Sequence, residues 1–316
     1  MRHLVKWLIL AESLVWAAAV LIQADLPGAW HDVVLTTSPL QRGLLAILFL
    51  IPAGLACWVE THGWIATFGA RRPGISFSRL FCIRLAGEAV NQATPFMSLG
   101  GEPVKAMLVA AETEAIQESA ASVAAARFVM TLAQVLLVSL GLVVGYGPLH
   151  TSSGALVGFG LFPLLLGAFM LFLLAAYLVV PASARKRLLE HPRQFAWALG
   201  CFVLGWAAMG LEFWVVARIL GVPLTLLQAV ALEGLMNSVT MATFFIPGNL
   251  GSQEAGLLFL GRLFALGPVG ALMVVLRRGR EVLVILLGLL CLAVLGGGAM
   301  MRLPGLPAPA AGSEQP

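Results

Sequence analysis

The sequence has few charged residues. Asp, Glu, Lys and Arg make up only 11% of the 316 residues, whereas hydrophobic residues make up 60%, and the mean hydropathy is +0.95. Soluble domains carry about 25% charged residues, so the composition excludes an ordinary globular protein in water. Apolar runs of about twenty residues, the length that spans a bilayer core, follow one another along the chain. We therefore predict an all-α polytopic membrane protein.

The sequence also lacks the patterns of metal centres, disulfide frameworks and most catalytic sites. Its four cysteines lie far apart in or beside apolar runs, without a CxxC pair. No GxSxG, HExxH, P-loop or dinucleotide-binding pattern occurs. The basic residues behind the net charge of +4 lie in short loops, so nucleic acid is not expected as a partner. We expect no cofactor and no metal, and no enzyme activity, although an intramembrane lipid-modifying activity stays open.

The apolar runs predict about seven spanning helices and two segments of re-entrant type that glycine and proline break. The broken segments are 80–111 and 224–275, one in each half of the chain. A single transmembrane domain would cover 1–301, with related halves at about 1–181 and 195–301, and 302–316 would form a disordered tail. The other runs, at about 4–24, 44–68, 120–145, 154–180, 195–217 and 281–300, predict ordinary spans.

The basic loops predict the orientation of the chain. Nine Lys and Arg residues of the first 193 fall on one side if segment 80–111 returns to the side it entered, against Arg42 alone on the other. The positive-inside rule then places the amino terminus and the 185–193 loop in the cytoplasm, and the 25–42 loop in the periplasm. The topology beyond Arg218 stays open.

A stripe of polar residues runs through the first broken segment. Arg84, Glu88 and Asn91 follow one another at helical spacing and therefore share one face. Charges at bilayer depth are costly, so these side chains should line water, a ligand site or one another. We expect Arg84 to pair with Glu88 or with a lipid phosphate, and backbone N–H groups near the glycines to favour an anion. The candidate residues are Arg84, Glu88, Asn91, Gln92, Pro95, Gly101 and Glu102.

The second broken segment repeats the order of the first. An acidic residue, an amide one turn later, a proline, glycines and a second acidic residue follow one another. Paired broken segments in corresponding positions are typical of the midplane site of a transporter. We also expect an i, i+4 pair between Arg277 and Glu281. The candidate residues of this half are Glu233, Asn237, Pro247, Gly251, Glu254, Arg278 and Glu281.

A purely structural explanation stays open for both groups, because buried polar side chains also fasten membrane helices together. We interpret Glu60 and Arg127 in this way, as isolated residues that are interfacial or locally paired.

Two stretches resemble the signatures of a known family. RLAGEAVNQATP at 84–95 with GGEPVK at 100–105, and FIPGNLGSQEAG at 245–256 with RRGRE at 277–281, are similar to the flippase-like family related to the transmembrane region of lysylphosphatidylglycerol synthase. Within that family, the residues of these stretches are most similar to those of the HpnL-type proteins associated with hopanoid lipids. The resemblance implies a bacterial inner-membrane protein that binds or moves a lipid. It does not imply lysine transfer.

We therefore predict lipid translocation or lipid binding, of a hopanoid or a phospholipid, with membrane lipids as partners. One alternative is a membrane scaffold or accessory subunit that holds a lipid-modifying enzyme, which would then be a further partner. In the transport hypothesis the two breaks approach one another and line a single cavity.

Overall fold

A computed structural model describes residues 37–48, 51–68, 74–93, 100–113, 115–153, 180–243 and 249–299, with a few isolated positions besides. The predicted first span, most of the fourth, Pro95, Pro247 and the tail lie outside the described residues. Within these ranges all the regular structure is helical. The helices are α1 Pro39–Leu48, α2 Ile51–Thr67, α3 Phe77–Ala93, α4 Gly101–Thr113, α5 Ile116–Ser153, α6 Ala182–Glu190, α7 Pro192–Ile219, α8 Leu226–Ala242, α9 Ser252–Leu263 and α10 Pro268–Ala299.

Local sequence explains where several helices begin. Pro192 opens α7, where the missing N–H costs nothing. A capping box opens α8, because Thr225 and Gln228 each accept a hydrogen bond from the other's backbone N–H. Gly251 precedes α9 with a φ of 79°, a conformation that favours glycine. The described end of the predicted second break therefore turns into a new helix, with Asn249 and Gly251 both at positive φ.

Two of the described helices are long and apolar enough to cross a bilayer, over 116–145 and 192–219. The second part of α10 also presents apolar side chains outwards. Leu286, Leu290 and Val294 are 60–73% exposed there, which in water would form a costly patch. This surface suits contact with lipid tails.

The most closely packed helix pairs each join a helix from the first part of the chain to a helix from the second part. The most extensive pairs are α2 with α7, α3 with α10, and α5 with α8. If α2 to α5 correspond to α7 to α10, the pair α3–α10 is the counterpart of α8–α5, and α2–α7 is its own counterpart. An internal duplication with an approximate two-fold axis produces this pattern. The division into related halves nevertheless stays a prediction.

Small residues sit at corresponding crossings. A Cβ on Gly141 of α5 would meet the Ala231 carbonyl oxygen of α8 at 2.7 Å, and a Cβ on Gly234 would meet the Leu137 carbonyl at 2.1 Å. A Cβ on Gly288 of α10 would meet the Leu85 carbonyl of α3 at 2.3 Å. Glycine lets the helix backbones approach this closely. The prediction of an all-α membrane architecture is confirmed, while the number of spans and the re-entrant topology stay predictions.

Candidate functional site

Arg84 of α3 is buried against an acidic residue of another helix. Its guanidinium pairs with the Glu60 carboxylate of α2, and the two side chains are 9% and 11% exposed. The guanidinium also lies 5.8 Å from the centroid of the Phe202 ring. Arg84 therefore does not take Glu88 as its hydrogen-bonded partner, contrary to our expectation. Sequence analysis named Glu60 as interfacial or locally paired but did not predict its pairing with Arg84, because 24 residues separate the partners and no local spacing connects them.

Glu88 and Gln92 interact with one another along α3. The Gln92 amide donates to the Glu88 carboxylate at 3.3 Å, one turn away, and both residues are half-buried. The Gln92 Oε1 atom is buried without a hydrogen-bond partner among the described residues. Glu88 and Gln92 thus keep polar capacity that the ion pair of Arg84 does not use.

Asn91 connects the two helices that flank the first break. Its Oδ1 atom accepts a hydrogen bond of 2.7 Å from the Gly101 N–H, the first residue of α4. Gly101 lies so close to α3 that a Cβ there would be 1.9 Å from the Gly87 carbonyl oxygen. The Gly101 N–H, which we expected to favour an anion, is therefore occupied by Asn91.

A group of charges surrounds a small cavity between α2, α3, α4, α5 and α7. The Glu102 Oε1 atom lies 3.0 Å from Lys105 Nζ and 3.7 Å from Arg127 Nη1. Trp64 and Arg84 also line the cavity. Sequence analysis treated Arg127 as isolated, although the start of α5 brings it to Glu102. The polar group that begins with the stripe on α3 thus also includes side chains of α2, α4 and α5.

The second group of charges centres on three arginines near the middle of α10. Arg277 donates two hydrogen bonds of 3.0 Å to Glu233 of α8, and Glu233 is 1% exposed. Arg280 pairs with Glu212 of α7. Because Arg277 points to Glu233, the i, i+4 pair that we expected with Glu281 is wrong.

Arg278 joins the second break to α10. Its guanidinium lies 2.5 Å from the Glu254 carboxylate and 2.5 Å from the Glu281 carboxylate. It also donates to the Asn249 carbonyl at 3.1 Å, just before α9. One arginine thus holds the turn, the first residues of α9 and α10 together.

Asn237 makes a local contact, because its amide donates to the Glu233 carbonyl one turn earlier, at 3.2 Å. Within each group the structure therefore brings most of the predicted residues together. The small cavity is lined by side chains of the first group with Phe202, and by none of the second group's charges. Whether the two breaks share one cavity stays a prediction, because Pro95 and Pro247 are outside the described residues.

No metal centre occurs in the described part of the chain, since no three His, Cys, Asp or Glu side chains there are placed to hold an ion. The buried charges interact with one another and with helix backbones. This arrangement, on apolar helices with outward aliphatic faces, defines a helical membrane protein with two buried ionic groups.

The comparison with protein families also indicates a membrane protein and adds a specific family. Residues 8–288 match the family described as the lysylphosphatidylglycerol synthase TM region. The match covers most of the chain, so the protein belongs to this family. Membership suggests a membrane protein related to lipid metabolism. No curated protein and no solved structure matches the chain.

Proposed function

We propose that the protein binds a membrane lipid by its headgroup and moves it between the two leaflets. The observation that carries the proposal is the cavity lined by Trp64, Arg84, Lys105 and Arg127, in which hydrogen-bond donors outnumber the Glu102 acceptor. Lipid headgroups carry phosphate, hydroxyl and carbonyl oxygens, which are acceptors. In a family named for a lipid synthase, these donors match the acceptor oxygens of such a headgroup. The cavity measures only about 10 Å³, the space of one water molecule, so a headgroup would enter it only when the surrounding side chains or helices move apart.

The helix pairs that join the two parts of the chain support movement as well as binding. Transporters built from two repeats move one repeat against the other around a central site. The glycine crossings of α3 with α10 and of α5 with α8 are the contacts at which such rocking would occur.

The finer features of the proposal follow from the sequence. The lipid would be a hopanoid or a phospholipid, and the membrane would be the bacterial inner membrane with the amino terminus in the cytoplasm. The protein would translocate without chemical change of the lipid, and no aminoacyl transfer is expected of it.

Reconstitution tests the proposal. The purified protein is placed in vesicles with a fluorescent phospholipid, and its loss from the outer leaflet is followed with a membrane-impermeant quencher. The double variant Glu60→Gln with Arg84→Gln removes the buried pair without leaving a single charge. We expect movement with the wild type and much slower movement with a folded double variant. Wild-type vesicles no faster than protein-free vesicles would contradict the proposal.

A scaffold for a lipid-modifying enzyme is the second candidate function. The second ionic group favours it, since Arg277, Arg278 and Arg280 fasten α10 to three other helices in a way that a rigid platform requires. A scaffold would retain a partner enzyme during gentle purification and would leave lipid movement in vesicles at the background rate. The vesicle assay thus separates the two functions.

A further inference from the structure

The small cavity contains a donor without a partner. Trp64 is 1% exposed and lines the cavity, and its indole N–H has no hydrogen-bond partner within the described ranges. A buried tryptophan N–H usually finds one, and an exception needs an explanation. The indole N–H is only a donor. The cavity that Trp64 lines measures only about 10 Å³, the space of one water molecule, so a larger acceptor reaches the indole N–H only if a side chain moves out.

The carboxylate in the cavity is shared between two cations. Glu102 Oε1 is 3.0 Å from Lys105 Nζ and 3.7 Å from Arg127 Nη1, and the second distance is too long for a hydrogen bond. An ammonium has three donors and a guanidinium has five. One carboxylate thus leaves much of the hydrogen-bonding capacity of Lys105 and Arg127 unused.

The exposed side of the cavity is the side of the shared carboxylate. The Glu102 and Arg127 side chains are 16% and 21% exposed, whereas those of Lys105 and Arg84 are 7% and 9% exposed. Glu102 lies in the first turn of α4, next to the break. Glu102 and Arg127 are therefore the more accessible of these four charges.

We propose that Glu102 is an internal, displaceable anion, and that the phosphate of a phospholipid takes its place against Lys105, Arg127 and the Trp64 indole N–H. This inference rests on the proposed function, because it names the headgroup chemistry of the same site. A phosphodiester carries one negative charge, as a carboxylate does, so the exchange keeps the charge of the cavity. Its oxygens offer the acceptors that Glu102 alone does not supply.

The same charge argument decides between two sources of phosphate. Free phosphate carries about 1.5 to 2 negative charges near neutral pH, so it would change the charge balance around the Arg84–Glu60 pair. A lipid phosphodiester would not. The charge balance of the cavity therefore favours a lipid phosphate over the free ion.

Binding to the purified full-length protein in uncharged detergent tests the exchange. Phosphatidylglycerol is titrated and the bound lipid is counted by native mass spectrometry, beside a phosphate-free glycolipid and beside inorganic phosphate. We expect Glu102→Gln to bind phosphatidylglycerol about tenfold more tightly, and Arg127→Gln about tenfold more weakly. Lys186→Gln is the control, because the ion pair of Lys186 with Glu190 is exposed; its affinity should equal that of the wild type.

Three results would overturn the proposal. Glu102→Gln could bind phosphatidylglycerol no more tightly than the wild type, so that the carboxylate does not compete with the lipid. The glycolipid could bind as well as phosphatidylglycerol, or inorganic phosphate could displace the lipid at equal concentration, so that the site does not select a lipid phosphate.

A second variant keeps the test decisive if Glu102→Gln fails to fold. A Cβ on Gly87 would lie 2.4 Å from Lys105 Cε, so Gly87→Ala pushes the flexible lysine aside without changing any charge. We expect about tenfold weaker binding of phosphatidylglycerol by this variant, and unchanged binding would count against the proposal.

The vesicle assay separates failure of this inference from failure of the proposed function. If phosphatidylglycerol binds as expected but does not move in vesicles, translocation is refuted and the phosphate site stands. If lipids move at equal rates with the wild type and with Arg127→Gln, translocation stands and the phosphate site is refuted.

Discussion

The two ionic groups differ in how their cations share carboxylates. In the second group each arginine of α10 pairs with a carboxylate on a different helix, and Arg277 binds both oxygens of Glu233. Three buried atoms of this group, Arg277 Nε, Glu212 Oε1 and Glu254 Oε2, have no partner among the described residues. In the first group Lys105 and Arg127 share Glu102, and the Trp64 N–H is unpaired within the described residues. A one-to-one pair between two helices fixes them, whereas a carboxylate shared by two cations leaves donors available to a ligand. We interpret the second group as a structural contact that holds the helices together, and the first group as the ligand-binding site.

The largest effect is expected from breaking the buried pair of Arg277 with Glu233, which is joined by two hydrogen bonds. Glu233→Gln would leave Arg277 buried beside a neutral amide, which costs about 3–5 kcal/mol of unfolding free energy. Thermal unfolding in detergent measures the loss. The double variant Glu233→Gln with Arg277→Gln should recover most of it. A matched control is Glu190→Gln in an exposed pair, and an equally large loss there would contradict the assignment.

A smaller loss should follow from closing the glycine crossings. Gly234→Ala and Gly288→Ala each place a methyl group within 2.3 Å of a carbonyl on the facing helix, so each should cost about 1–3 kcal/mol. Equal losses of unfolding free energy would support related halves, because the two crossings are counterparts. Gly200→Ala is the control, since nothing lies within 4 Å of its Cβ. Markedly unequal losses would argue against related halves.

The two amides of the stripes should differ as well. Asn91→Ala leaves the buried Gly101 N–H without its acceptor, at a cost of about 1–3 kcal/mol. Asn237→Ala removes only a bond to a carbonyl of its own helix, so it should cost less than about 1 kcal/mol. Chemical unfolding of both variants measures the difference. If Asn237→Ala proves the more damaging, the second amide has a role beyond its helix.

The smallest loss of stability is expected for Glu88→Gln. Arg84 already has Glu60 as its partner, so neutralising Glu88 does not leave a buried charge alone. The amide can still bond with Gln92, and membrane hydrogen bonds of this kind contribute only about 0.6 kcal/mol. A folded variant with slower lipid movement would place Glu88 on the lipid path. Lipid movement at the wild-type rate would place it outside.

The helical architecture and the two polar stripes could be predicted from the sequence, because both follow from periodicity and from the cost of charge in lipid. It could not supply the partners of those stripes. Glu60 is 24 residues from Arg84, and Glu212 is 68 residues from Arg280, so only the packing of α2 and α7 brings them together. The position of Trp64 in the cavity could not be predicted either, because an apolar run does not show which tryptophan lines a cavity.

The pairing of helices from the two parts of the chain has a consequence for biogenesis. The contact surface of α3 around Ala89 is covered by Gly288 of α10, which the ribosome reaches about 200 residues later, or roughly 10–40 s at about 5–20 residues per second. During that interval the Arg84–Glu60 pair can form within the nascent amino-terminal part, whereas one side of α3 still faces lipid or an insertion factor. Deletion of α10 should therefore leave this side of α3 without its protein contact.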